Sequence, residues 1–261
     1  MFIIDILVLI MGLCWGSFLG LLSYRIPRGI SIVKPYSFCD SCKKPISILG
    51  RVPILGYFFY KGKCPECSTK ISIRYPVIEL VTALLFLITY NRLMDGTVEQ
   101  YVPMLLRSFV LITAIIPSIF IDVDERIIPD RFSIGLVVCG FLIALLDSFM
   151  SDTPALSWLS SLSGILVGGG ILFVVAELYR LITKRDGMGG GDIKLLAGIG
   201  AVLGWYPAIL VILISSVLGS LYGVSLMLFA KKDRLAEMPF GPFIGIAVLF
   251  YHFISGGGFF R

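Results

Sequence analysis

Eight apolar runs, at about 2–23, 76–90, 103–121, 131–149, 160–182, 193–204, 207–230 and 239–254, limit what this chain can become. A helix needs ~20 apolar residues to cross the hydrocarbon core, and lipid tolerates only backbone whose hydrogen bonds are met internally. The runs are continuous rather than alternating, which excludes a transmembrane β-barrel. Composition points the same way: 57% of residues are hydrophobic and 15% charged, against roughly 45–50% and about 25% in soluble domains. Too few charges remain to cover a water-facing surface, so a soluble enzyme and a disordered tail are both excluded. The expected fold is an all-α polytopic membrane protein of about eight transmembrane helices. The sixth run is short, which leaves a seven-span reading open. The first run is expected to persist as a span, since no basic residue precedes it and Arg25 and Arg28 follow.

Orientation follows from the basic residues. Ten lie between 24 and 75: Arg25, Arg28, Lys34, Lys43, Lys44, Arg51, Lys61, Lys63, Lys70 and Arg74. Arg126 and Arg131, then Arg180, Lys184, Arg185 and Lys194, then Lys231, Lys232 and Arg234 fall in connections on the same side, leaving Arg92, Arg107 and Arg261 for the other. Basic loops stay in the cytoplasm, so the odd spans are expected to end inside and the N-terminus to begin outside. The net charge of +5 therefore points to the membrane face and not to nucleic acid. The one histidine, His252, leaves no His-rich metal site. It reads as an aromatic-sized residue at a helix end.

Four of the six cysteines form two knuckles, Cys39-Asp-Ser-Cys42 and Cys64-Pro-Glu-Cys67, while Cys14 and Cys139 lie within apolar runs. Each knuckle presents two thiolates, and two knuckles complete the tetrahedral shell that zinc prefers. Disulfides are the competing reading, but a cytosolic loop is kept reduced. With all four positions filled by protein, the zinc would be structural, a staple for a loop of about 25–75 too small to order itself.

Carboxylates at a membrane edge are costly and so tend to be functional. Two groups are expected at the inner face: Ile121-Asp122-Val123-Asp124-Glu125-Arg126-Ile127-Ile128-Pro129-Asp130, and Gly187-Met188-Gly189-Gly190-Gly191-Asp192-Ile193-Lys194. Two aspartates that meet there can split an amide, one taking a proton from water while the other, protonated, polarises the carbonyl. Like charges in contact cannot both ionise, so the pair shares a proton near neutral pH. Gly189 and Gly191, lacking Cβ, would let an extended substrate strand approach. The competing reading is a solvated turn and a flexible helix start, with Asp192 near the positive end of a helix dipole.

The ordered set of motifs resembles the type IV prepilin peptidases of bacterial inner membranes, GxGD aspartyl proteases distantly similar to preflagellin peptidases and presenilins. It comprises Gly16-Ser17-Phe18-Leu19, Tyr24-Arg25-Ile26-Pro27, the two knuckles, Ile73-Arg74-Tyr75-Pro76 with Glu79, the stretch from Asp122 to Asp130, Gly189-Gly190-Gly191-Asp192, and Pro239-Phe240-Gly241-Pro242. The resemblance implies that Asp122 and Asp192 are the catalytic pair. It implies removal of a short basic leader from prepilins or the pseudopilins of type II secretion, cut after a glycine on the cytosolic side. It also implies N-methylation of the new N-terminus with S-adenosylmethionine, a second activity tied to an N-terminal region of about 1–100, with a peptidase domain over 101–261. Arg25, Lys63 and Glu79 are cofactor or substrate candidates by resemblance, with juxtamembrane charge as their alternative. Gly20 stands where relatives commonly have Asn, and Arg51-Val52-Pro53 where they often have an Asp-Asn-Ile-Pro type stretch. Both departures lie in the region tied to methylation, so a peptidase-only reading stays open. A proton-coupled transporter using the same aspartates, and a zinc-loop scaffold, are the readings from other classes.

Overall fold

The computed structural model describes residues 2–93, 98–150, 154–184, 187–229 and 238–253, so Arg185, Lys231, Lys232, Arg234 and Arg261 of the charge count lie outside the described residues. The chain divides into two compact units, 1–94 and 95–261.

The first unit is built on two helices, α1 (Phe2–Arg25) and α3 (Arg74–Leu93), with a loop between them that carries a 3-10 turn (Leu49–Arg51) and the short α2 (Leu55–Phe59). Glycine decides how α1 meets α3. A Cβ on Gly12 would lie 2.6 Å from the Cα of Ala83, and one on Gly16 2.6 Å from the Cα of Glu79. Only residues without a side chain permit that approach, the small-residue packing common between helices in lipid, where dispersion must replace the hydrophobic drive.

The second unit packs α4 (Val98–Glu125), α5 (Asp130–Met150), α6 (Trp158–Thr183), α7 (Gly190–Leu203), α8 (Trp205–Phe229) and α9 (Gly241–Phe253). Helix α7 is its axis, packed chiefly on α5 and α6 and also touching α8, α4 and α9. Its residues from Leu195 to Leu203 are buried all round apart from Ala197, as a helix surrounded by other helices should be. Backbone meets backbone where Gly164 of α6 faces Gly200 of α7.

Each predicted run falls on one of the helices α1 and α3 to α9, with the ends at 230 and 254 lying outside the described residues. Five are long and apolar enough to cross a membrane: α1, α4, α5, α6 and α8. The expected count of eight is not reached on length and apolarity alone. Helix α3 carries Arg74, Glu79 and Arg92, and α7 and α9 have 14 and 13 residues. At about 1.5 Å per residue, α7 is some 21 Å long. Among the described residues there is no β-strand, and only two isolated bridges, Phe38 with Pro45 and Lys63 with Lys70. The chain is thus an all-helical, multi-pass membrane protein.

One buried ion pair ties the second unit. Arg107 of α4 donates to Asp147 of α5 at 2.6 Å, both side chains shut off from solvent. Asp147 also accepts from the Leu156 N–H at 3.1 Å, which draws in the segment leading to α6. Removing one partner of such a pair strands a buried charge, at about 3–5 kcal/mol. Asp147→Ala is therefore expected to lower the thermal unfolding temperature in detergent far more than Ala at Glu177, whose ion pair with Arg180 is partly solvent-exposed.

Candidate functional site

Both acidic groups sit at the same end of the second unit. Helix α4 does not stop where the apolar run ends but continues through Glu125, so the stretch from 121 to 125 is helical rather than a turn. Its periodicity then sorts the acids. Asp122 points inward, 5% exposed, whereas Asp124 and Glu125 lie on the outer face. Helix α7 starts at Gly190, three residues before the predicted run, which puts Asp192 in its first turn with its N–H bonded to the Gly189 carbonyl at 3.1 Å. The two carboxylates are close enough to feel each other's charge, although 70 positions separate them in the chain.

Three contacts hold this end together. Gly241, at the start of α9, donates its N–H to Oδ2 of Asp122 at 2.7 Å, in a buried bond. Lys194 donates to Asp130 at 2.7 Å, across the first turns of α7 and α5. Ile128, buried in the α4–α5 connection, lies where a Cβ on Gly191 would fall, 3.0 Å away. Gly191 thus meets the protein's own chain, while Gly190 faces open space and Gly189 has only Asp192 nearby, at 3.3 Å. The Gly241 amide is the contact that sequence reasoning missed. Its residue lay within the Pro239–Pro242 motif, but no local pattern says that the motif folds onto α4.

A side chain at position 241 has nowhere to go. Its Cβ would stand 2.9 Å from Oδ2 and 3.0 Å from the Cβ of Asp122. Gly241→Ala is expected to push the carboxylate aside and slow turnover by about 10²-fold, the scale of a 1 Å misplacement. Substrate affinity and thermal stability should change little, which kcat, KM and an unfolding scan would separate.

The first unit holds the four knuckle cysteines. The sulfurs of Cys39, Cys42, Cys64 and Cys67 all lie within 4.8 Å of one another, with Cys39 to Cys67 at 3.7 Å and Cys42 to Cys64 at 4.0 Å. A tetrahedron with Zn–S of about 2.3 Å has edges of about 3.8 Å, while a disulfide needs about 2.05 Å. All four are free thiols. The donor set and spacing therefore fit a tetrahedral thiolate metal. The two knuckles are built alike. Lys43 N–H returns to the Cys39 carbonyl at 2.8 Å and Ser68 N–H to that of Cys64 at 2.9 Å. Cys39 N–H bonds Lys44 O and Cys64 N–H bonds Thr69 O, each at 2.9 Å. Lys43 and Ser68 accept left-handed φ of 58° and 57° to close these turns. The Thr69 hydroxyl and N–H hold the Cys67 thiol down at about 6, near the thiolate form a metal requires.

The three weaker candidates are partly engaged in holding their own unit together. Arg25, 3% exposed, donates to the carbonyls of Ser31 at 2.7 Å and Pro35 at 2.6 Å. Glu79 is buried and accepts from the Ile54 N–H at 2.6 Å. Lys63 is exposed on the loop.

Comparison with known proteins follows this division. Residues 10–93 match the Bacterial Peptidase A24 N-terminal domain, and residues 109–224 match the Type IV leader peptidase family. A protein of Bacillus subtilis (strain 168) named prepilin leader peptidase/N-methyltransferase is 34% identical, over 91% of this chain and 89% of its own length. Proteins of the same name from Aeromonas salmonicida (strain A449) and Neisseria gonorrhoeae are 31% and 32% identical, each over 92% of this chain and 87% of its own length. No solved structure matches the chain. With both halves matched in order and relatives aligned nearly end to end, the chain belongs to the type IV leader peptidase family.

Proposed function

We propose that this protein removes the leader from type IV prepilins or pseudopilins at the cytoplasmic face of the bacterial inner membrane, with Asp122 and Asp192 as its catalytic pair. The observation that carries the reading is that α4 and α7 bring a buried and a half-buried carboxylate to the same end of the bundle. Water is the nucleophile. One aspartate takes its proton as the oxygen attacks the scissile carbonyl, and the other gives a proton to the carbonyl oxygen. Collapse of the tetrahedral intermediate breaks the C–N bond: the first aspartate passes its proton to the leaving amine, and the second takes back a proton from a hydroxyl of the intermediate as the carbonyl re-forms. The N–H of Gly241 occupies Oδ2 of Asp122 and leaves the second oxygen for proton exchange with water. The leader strand passes Gly189 and the open backbone at Gly190, with Gly191 seating the α4–α5 connection. A relay in a proton-coupled transporter would place its acids at mid-span; here both stand at helix ends, beside the exposed Lys194–Asp130 pair.

The four cysteines hold a structural zinc that orders the loop of the first unit. The same unit serves N-methylation of the freed α-amine, for which S-adenosylmethionine supplies the methyl group. Support for that second activity comes from the names of the relatives and the match over residues 10–93. Arg25 and Glu79 act there by shaping the unit, through the bonds already described. Mass spectrometry of a prepilin peptide incubated with the purified protein tests both parts. A cut after the leader glycine is expected without S-adenosylmethionine, and a further methyl group with it. An intact peptide in both reactions would overturn the reading.

A further inference from the structure

The cysteine loop carries an apolar surface that neither the cleavage site nor the metal site uses. Helix α2 sets Gly56 against the carbonyl of Gly50 in the preceding 3-10 turn, so that face is covered. The other side of this small fold turns Ile48, Leu49, Leu55, Phe58 and Phe59 outward, each between 62% and 81% exposed. In water such a patch would be a liability.

The way α2 is tethered says where the patch sits. Ile54, just before α2, adopts φ 59° and ψ −55°, a conformation strained for a β-branched residue. Leu55 N–H closes a three-residue turn onto the Pro53 carbonyl at 2.5 Å, the rare form of γ-turn with positive φ. The buried carboxylate of Glu79 fixes that turn by accepting the Ile54 N–H. Glu79 in turn stands opposite Gly16 of α1, nine residues before the end of α1 at Arg25. At 1.5 Å per residue the Glu79 backbone lies about 14 Å back along α1 from its end, and its side chain leans toward the start of α3, so the carboxylate meets the Ile54 N–H nearer the helix ends. The turn that leads into α2 is thus tied to the first turns of α3 and does not swing free of the helices. An aromatic and aliphatic surface held at that level of a membrane-crossing helix meets the boundary of headgroups and acyl chains, where aromatic rings are favoured.

Charge is complementary to such a surface. The ten basic residues between 24 and 75 face only two acids, Asp40 and Glu66. Those two are engaged, Asp40 accepting from the Tyr24 hydroxyl and Glu66 paired with Lys44. Arg51, Lys61 and Lys63 stand exposed around α2, placed for anionic headgroups.

We propose that the α2 surface is an interfacial membrane anchor, dipping its apolar side chains into an anionic bilayer, with Glu79 as the positioning residue that sets its depth. The inference rests on α1 crossing the bilayer and not on the cleavage reaction.

The test uses the full chain in nanodiscs of mixed zwitterionic and anionic lipid, with Trp15, Trp158 and Trp205 replaced by phenylalanine and Phe59→Trp as the reporter. Lipids brominated near the headgroup end of the acyl chain should quench the reporter several-fold more strongly than those brominated near the bilayer centre, and aqueous iodide should quench it weakly. Strong iodide quenching without bromolipid quenching would overturn the proposal, showing a solvent-facing loop. Shielding from both would overturn it too, showing a protein neighbour over the patch. Glu79→Ala should weaken the bromolipid signal while Glu79→Gln, which keeps an acceptor for the Ile54 N–H, preserves it. Equal signals from the two would remove Glu79 from the proposal. Leader cleavage by the same nanodiscs is read separately, so loss of the anchor and loss of the peptidase reading are distinguishable.

Discussion

Asp122→Asn and Asp192→Asn are each expected to reduce leader cleavage by roughly 10²–10⁴-fold, the range for loss of a positioned acid or base. An asparagine keeps the size and a hydrogen-bond acceptor of the aspartate, so Gly241 can still donate to position 122 and the fold has no reason to change. What disappears is the ability to hold and return a proton. In the proposed mechanism the two groups act as a unit, so the double variant should be little worse than either single one. Additive losses would mean that the two work independently. Asp124→Asn supplies the contrast. It lies two residues away on the outer face of the same helix turn and should cleave within a few-fold of the unchanged protein. Circular dichroism and the unfolding temperature, measured on the four variants and the unchanged protein, separate loss of chemistry from loss of structure. Undiminished cleavage by both single variants would end the assignment.

The contrast between Asp122 and Asp124 also marks how far the residues could be read in advance. Long apolar runs report a local property, and each one became a helix. The position of Asp122 on the inner face follows once α4 is known to continue through Glu125, but the apolar run stops at 121 and gives no sign of that. Composition likewise could not show that α7, one of the shorter helices, lies at the centre of the second unit. That depends on glycines at 164 and 200 finding each other across two helices. The long-range contacts that fix the two units join residues far apart: Gly241 to Asp122, Asp147 to Arg107, Glu79 to Ile54. None leaves a periodic trace, because each links one atom of one segment to one atom of another. The knuckles are the exception. Both pairs of ligands are local, so their spacing carried the expected chemistry, and the sulfurs do cluster. Gly191 lies between these cases. The motif was visible, yet its neighbour Ile128 was not.

Removing the metal should have the second large effect, and it should divide the two units. The loop from 26 to 73 contains only one short helix and one 3-10 turn, too little to order itself. Structural zinc contributes about 10–16 kcal/mol to such folds, so a chelator strong enough to strip it, or Cys39→Ser with Cys64→Ser, should unfold the loop outright. Hydrogen exchange is the direct readout. Amides closing the knuckles, such as Lys43 and Ser68, should lose protection by several orders of magnitude, while those of α5 and α7 keep theirs. Methyl transfer should vanish with the loop. Cleavage should persist wherever the second unit alone carries the chemistry, since Asp122, Asp192 and Gly241 all belong to it. Zinc measured by atomic absorption at one ion per chain, and its proton-driven release below about pH 5 as thiolates are reprotonated, would complete the case. A chain purified with all four thiols reactive, no zinc, and an ordered loop would show that the knuckles close without metal. Loss of cleavage in step with loss of zinc would instead mean that the loop takes part in presenting the leader to the aspartates.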